Sequence, residues 1–364
     1  MLRVVIAPDS FKGSATAAAA ASAIADGWRT ARPDDRIALL PQADGGEGTL
    51  DAMAAALPDA AVRTSTATGP DGRPVSARRL HLGDGTAVVE LAESSGLPLM
   101  PVLDPLGATT RGVGDVIRAA LDDGASGLVL GLGGSASTDG GAGALQALGL
   151  RLLDADGGEL PPGGGALARL ASIDATRMMP APAGGVRILT DVVNPLLGPS
   201  GAAAVFGPQK GANPQHLDQL EWGLARLAEL LGGDPQAPGM GAAGGTAYGF
   251  ATLWGATVVP GSAAIAELTG LPDAAATADV LIVGEGRFDT TSLGGKVVGH
   301  ALALAGPATR VIVIAGLVDA EPVLPDGRVA ASLALADLAG GGDDALSDAL
   351  RWLRTAGARA AALS

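Results

Sequence analysis

VVIAPDS (4–10), VLIVGEG (280–286) and VIVIAG (311–316) are three versions of one pattern, and they decide the fold. Each is a short apolar run that ends in a loop with an acid or a glycine. Runs that are apolar on both faces suit strands covered on both sides, as in a parallel sheet. The last two are about one strand–helix–strand unit apart. The first lies at the opposite end of the chain. Pairing all three puts both chain ends into one open sheet and makes the middle an inserted domain.

The intervening sequence alternates strand, glycine-rich loop and helix, which argues for an α/β class. A helix is expected over 14–30 with Ser14 as N-cap, then a strand over 37–41 and a helix near 47–56. Strand-like runs over 62–68, 75–81 and 86–91 are separated by GPDGRP and GDG, as in a β-meander. Further strands are expected over 127–130, 186–190, 278–283 and 310–315. Further helices are expected over 114–122 and 214–231, from near Gly295, and over 344–358. Residues 150–153 with the turn DADGGEL (154–160) suggest a hairpin.

The chain has 364 residues, no Cys, 24 Lys plus Arg and 38 Asp plus Glu, a net charge of −14. That length suits about two domains. The acidic balance argues against nucleic acid or an anionic membrane as partner. Without Cys there is no disulfide, thiolate metal site or Cys nucleophile. The longest stretch free of charged residues, 235–266, holds three prolines and seven glycines, so no membrane span is expected. A cytoplasmic protein is expected. Only Lys12, Lys210 and Lys296 are lysines, and all three sit in or beside glycine-rich turns. Lysine as a point charge suits phosphate oxygens, so these turns are candidate ligand contacts.

Five loops at expected strand ends carry charged or hydroxyl residues among glycines: 7–14, 43–49, 131–141, 190–198 and 284–296. Ligands of open α/β sheets bind beyond such ends. Asp44, Glu47, Asp191, Glu285 and Asp289 are candidate oxygen ligands for a hard cation such as Mg²⁺. With Lys12, Arg287 and Lys296 they make up the groups that phosphoryl transfer uses. GLGGSA (131–136), with Asp154 23 residues after Gly131, also fits a dinucleotide fingerprint. Against it, Asp139 enters the same loop where a pyrophosphate would sit. No triad surrounds any of the three histidines, and no P-loop motif is present.

IAPDSFKGS (6–14), PQADGGEGT (41–49), ELAESSGLPL (90–99), GLGGSASTDGGAGALQALG (131–149), DVVNPLLGPSGAAAVFGPQKGA (191–212) and GEGRFDTTSLGGK (284–296) resemble, in order, the signatures of the class I glycerate kinases. The resemblance runs from near residue 1 to near 300. It departs at Thr138, Val193 and the GLVD of 316–319. It implies two α/β domains: a Rossmann-like open sheet from both chain ends (1–62 with 278–364) and an inserted mixed-sheet domain (63–277), with the active site in the cleft. It also implies phosphorylation of D-glycerate with ATP and Mg²⁺, usually to 2-phosphoglycerate.

On that basis Ser10 and Lys12 are expected at the substrate or the transferring phosphate. Asp44 and Glu47 would hold Mg²⁺. Gly133, Gly134, Ser135 and Ser137 would cradle nucleotide phosphates. Asp191 would be the base, and Arg287, Asp289 and Lys296 would clamp phosphate and substrate carboxylate. The oligomeric state, monomer or homodimer, stays open. So do two other functions: a nicotinamide-dependent oxidoreductase and a non-catalytic organic-acid binder.

Overall fold

The computed structural model describes residues 1–294 and 296–364. Among them, thirteen strands run in chain order: β1 (Arg3–Pro8), β2 (Arg36–Leu39), β3 (Ala61–Thr68), β4 (Pro74–His81), β5 (Thr86–Glu90), β6 (Gly127–Gly131), β7 (Arg151–Leu153), β8 (Ser172–Asp174), β9 (Val186–Leu189), β10 (Thr257–Val259), β11 (Val280–Phe288), β12 (Arg310–Val318) and β13 (Ala331–Ala334). The chain divides into two compact units. The first comprises residues 1–44, 51–58 and 262–364, and the second 45–50 and 59–261.

In the first unit all strands are parallel, in the order β13-β12-β11-β1-β2. The two chain ends meet where β1 pairs with β11, from Val4 opposite Val280 to Pro8 opposite Gly284. Side chains alternate cleanly between the faces. Val4, Ile6, Ile282, Ile312 and Ile314 pack with Ile24, Trp28 and Leu353, which come from the helices Ala17–Ala31 and Ala349–Ala362. Val5, Ala7, Leu281, Val283 and Val313 pack with Leu271, Ala275, Val298 and Leu302 on the other face. Burial on both faces is why these strands are continuous apolar runs.

One buried carboxylate ties this unit's first strand to its first helix. Asp35 accepts the Leu2 N–H (2.8 Å), the Trp28 indole N–H (3.1 Å) and the Arg32 Nε–H (2.6 Å). Its pKa is lowered to about 2, chiefly by the Arg32 hydrogen bond.

The second unit is a mixed sheet in the order β10-β9-β6-β5-β4-β3. β5, β6, β9 and β10 are parallel, and β3, β4 and β5 form the antiparallel meander. Its core is aliphatic and alanine-rich, with Tyr248, Phe250 and Trp254 as the large aromatic members. Residues 45–50 are fastened to this sheet. Glu90, 3% exposed at the end of β5, accepts the amides of Gly48 and Leu50, each at 2.9 Å. Gly133 donates its N–H to the Gly45 carbonyl (3.1 Å). A Cβ on Gly133 would stand 2.3 Å from the Gly46 Cα, so only glycine fits there.

Several local expectations shift. The first helix is capped by Thr16, whose hydroxyl accepts from Ala19, because Ser14 turns back to donate to the Phe11 carbonyl. The DADGGEL turn closes a short hairpin, through the antiparallel bridge Leu153–Glu159 and the backbone bonds from Asp154 N–H to the Gly158 carbonyl (2.9 Å) and from Leu160 N–H to the Leu152 carbonyl (2.8 Å), and β7 also pairs with the later β8. The expected closing helix is two, Gly342–Ser347 and Ala349–Ala362. The helix expected from Gly295 begins at Val297, and Gly295 lies outside the described residues. The units divide at 58/59 and 261/262 rather than at 62/63 and 277/278. Ala266, Leu271 and Ala275 draw residues 262–277 into the core of the first unit.

Glu90→Gln turns an acceptor into a donor that faces an amide. It should cost about 1–3 kcal/mol and lower the denaturation midpoint of the second unit. Gly133→Ala should cost at least a similar ~1–3 kcal/mol by overpacking. Asp35 has a folded pKa below its unfolded value. Its contribution is therefore full above about pH 4 and is lost as pH falls towards 2. Asp35→Asn should flatten that part of the stability–pH curve, as followed by urea titration.

Candidate active site

In the first unit the chain leaves β1 towards β2 and leaves β11 towards β12, on opposite sides. The β1/β11 pair is thus the topological switch point, where the loops after the two strands part and leave a crevice. The loop after β1 carries Asp9, Ser10 and Lys12. Asp9 donates its backbone N–H to the Gly284 carbonyl (2.8 Å), which fixes it at the tip of the sheet. Phe11 is 1% exposed and plugs the turn into the core, with mutual backbone bonds to Ala15 at 2.9 and 3.0 Å. Gly13, at φ 81°, completes the turn. Lys12 is held outward and exposed.

Asp9 is half-buried, and its carboxylate accepts the Ser10 N–H (2.6 Å). Burial raises its pKa to about 6. The charge of Asp44 pushes the same way, while the Ser10 amide and Lys12 pull it back. Glu285, one residue beyond the register of Pro8, is also shifted upward by burial, with Asp9 and Asp289 adding and Ser292 and Lys296 opposing. Its Oε1 is buried without a hydrogen-bond partner among the described residues.

The rest of the β11 loop is locally organised. Asp289 accepts the Thr291 N–H (2.8 Å) and hydroxyl (2.7 Å), which hold its pKa down. Lys296 is exposed, with Nζ 3.4 Å from the Thr291 hydroxyl. The Arg287 Nε donates to Asp319 at 2.6 Å, so the departure at GLVD places an acid directly on this arginine. β11 and β12 run on past the apolar runs, to Phe288 and Val318, which takes in Arg287 and stops one residue short of Asp319. Glycine permits that extension: a Cβ on Gly316 would stand 2.3 Å from the Gly286 carbonyl oxygen.

In the second unit the loop 131–141 is braced from within. Ser135 and Ser137 are 8% and 0% exposed, and the Ser135 hydroxyl accepts the Ser137 N–H (3.3 Å). The Gly133 amide is taken by Gly45, and the Gly134 carbonyl accepts from Leu97 (2.8 Å). Lys210 is 3% exposed and donates to the Ser137 carbonyl; burial lowers its pKa to about 8. Of the three lysines it faces inward, as a brace and not as a surface cation. Asp139 is fully buried and accepts from Thr110 N (2.9 Å), Thr110 Oγ1 (2.8 Å), Gly141 N (3.2 Å) and Gly143 N (3.2 Å). It fills the start of the helix Ala142–Ala147, the position a dinucleotide pyrophosphate would need. Asp191 is exposed and accepts the Gly261 N–H (2.9 Å), which ties its loop to the end of β10.

Asp44 and Glu47 are exposed. Among the described residues no group of three or more His, Asp or Glu side chains is arranged to hold a metal ion. Mg²⁺ with a nucleotide needs only one or two carboxylates beside phosphate and water oxygens, so exposed acids of this kind fit it. Sequence reasoning passed over Asp9 and Glu90. Both acids stand at strand ends inside the quoted motifs, which was the available signal. Histidines contribute little: burial, first of all, lowers the pKa of His81.

A sequence model of the glycerate kinase family matches residues 4–364. Glycerate kinase of Bacillus subtilis (strain 168) is 44% identical over 330 residues, 88% of this chain and 86% of that protein. Glycerate 2-kinase of Escherichia coli (strain K12) is 42% identical over 305 residues, 81% of this chain and 80% of that protein. A crystal structure of a glycerate kinase 2 from Salmonella typhimurium LT2 matches with a TM-score of 0.85 at 38% identity, covering 100% of this chain and 98% of that one. No described helix is long and apolar enough to cross a membrane. With motifs, fold and both sequence matches in agreement over most of its length, the chain belongs to the glycerate kinase family.

Proposed function

We propose that this protein transfers the γ-phosphoryl group of ATP to D-glycerate, with Mg²⁺, and that the product is 2-phosphoglycerate. One observation carries the proposal most: Lys12 and Lys296 flank the half-buried carboxylates Asp9 and Glu285 at the β1/β11 switch point. Phosphoryl transfer has little covalent chemistry for the protein to perform, so catalysis rests on positioning and on compensating charge. Cations on short, anchored turns beside carboxylates of raised pKa supply both. Membership of the glycerate kinase family supports glycerate as acceptor, and the name of the Escherichia coli relative supports the 2-position.

The local geometry supports the following assignment of roles. Lys12 and Ser10 meet the transferring phosphate or the glycerate. Lys296, at the N-cap of the helix Val297–Ala303, meets nucleotide phosphate. Arg287 binds the glycerate carboxylate by exchanging Asp319 for it, since a guanidinium fork suits a carboxylate. Asp44 and Glu47 would hold the metal, which when bound would neutralise phosphate charge. The 133–137 loop is assigned to nucleotide phosphates through its shape and remaining backbone groups. Asp191, engaged by the Gly261 amide, is assigned to holding the 190–198 loop and not to proton transfer. Asp139 at the start of the following helix disfavours the oxidoreductase alternative.

The test is ADP release from Mg·ATP with D-glycerate, L-glycerate or no acceptor, with ³¹P NMR of the product. Release that depends on D-glycerate, and a phosphorus signal coupled to the single C2 proton, is the expected result. Absence of acceptor-dependent release would overturn the proposal. Lys12→Ala and Lys296→Ala should each lower kcat at least about 10²-fold, the scale of lost electrostatic stabilisation. Arg287→Ala should act mainly on the KM for glycerate, raising it about tenfold, as expected for lost substrate binding.

A further inference from the structure

Most buried charges of this protein have all their chemistry accounted for. Glu90, Asp139 and Lys210 are fasteners, each turned onto backbone groups of its own unit. Asp9 differs. It stands at the carboxyl end of an interior strand, at the switch point, with its backbone pinned to Gly284. It is half-buried, so its carboxylate is partly open to a ligand. The hydrogen bonds that hold its carboxylate come from the adjacent Ser10 alone among the described residues. That partner orients the group without neutralising it.

We infer that Asp9 is the carboxylate that accepts the proton of the glycerate hydroxyl during phosphoryl transfer, a catalytic residue in place of Asp191. The inference rests on the proposed function. In the step, the C2 hydroxyl oxygen bonds to the γ-phosphorus while the bond from that phosphorus to the β,γ-bridging oxygen breaks. ADP leaves with that electron pair. The hydroxyl proton passes to an Asp9 carboxylate oxygen and from there to solvent, so atoms and charge balance.

The charged groups around Asp9 agree with this role. Lys12, on the same turn, keeps the ionised form accessible and can meet the phosphoryl oxygens. Asp44 after β2 adds negative charge beside it, and Glu285 in β11 feels the charge of Asp9 together with those of Asp289 and Lys296. Burial first of all, and then the charge of Asp44, bring Asp9 to about 6 against the pull of Ser10 and Lys12, so that it is ionised at neutral pH yet more basic than an ordinary carboxylate. The sign follows directly. The base must be ionised, so kcat falls as pH falls through the pKa of this carboxylate in the working complex.

The experiment compares wild type, Asp9→Asn and Asp9→Glu in the D-glycerate-dependent assay from pH 5 to 8.5. Thermal unfolding and calorimetric binding of ADP and of glycerate are measured on the same samples. The inference expects Asp9→Asn to keep its Tm within a few degrees and its affinities within about threefold. Its kcat should fall at least about 10²-fold, the range of general-base contributions. Asp9→Glu should keep partial activity with a displaced acid limb. If Asp9→Asn keeps kcat within about tenfold, the inference fails while the kinase assignment stands. If wild type itself shows no acceptor-dependent turnover, the functional proposal has failed first. Should Asp9→Asn not fold, Asp9→Glu decides: an acid limb unmoved from wild type contradicts the role.

Discussion

The parallel pairing of β1 with β11 is the interaction on which the rest of the first unit depends. Residues 4–8 and 280–284 are separated by most of the chain, and closing so long a loop is entropically costly. The return is an interior strand pair buried on both faces, each flanked by a further parallel neighbour. It also creates the switch point. Because β1 and β11 send their loops in opposite directions, polar residues from the two ends of the sequence are brought together at that edge. Asp9, beside Lys12, comes within electrostatic reach of Glu285, beside Lys296, for that topological reason. No local sequence preference would have done so.

The second unit uses charge differently. Its glycine loops approach one another too closely for side chains, and their amides and carbonyls would be orphaned without internal partners. Glu90, Asp139 and Lys210 supply those partners while buried. A buried charge is tolerable only with such hydrogen bonding, and removing it leaves the partners unpaired. Acids and a lysine in glycine-rich segments therefore divide into two kinds. Some hold the loop, and others face the ligand, and only burial and bonding separate them.

That division marks what the sequence could and could not say. The apolar runs at both ends announced a shared parallel sheet, because their burial on two faces erases the alternation of half-exposed strands. The meander over 61–90 was legible from its turns. Element ends were less so: Ser14 and Thr16 are equally good caps on paper, and only the Phe11–Ala15 turn selects Thr16. The turn after β7 was legible from its DADGGEL chemistry, but the second partner of β7, the later β8, was a tertiary choice that no local signal announced. In the site, Lys12 and Lys296 emerge exposed on anchored turns. Lys210 and Ser137, with the same kind of neighbours in sequence, lie buried. Asp9 was hidden by its context: an acid after a strand-ending proline reads as a turn former.

The central claim is that the crevice at the carboxyl ends of β1 and β11 holds the reacting glycerate. A crystal structure with D-glycerate and a non-hydrolysable ATP analogue tests this most directly. The account predicts glycerate density at that edge, with its hydroxyl within hydrogen-bond reach of the Asp9 carboxylate and Lys12 close to the γ-phosphate. Glycerate bound beyond hydrogen-bond reach of Asp9, with its hydroxyl on Asp191, would contradict it.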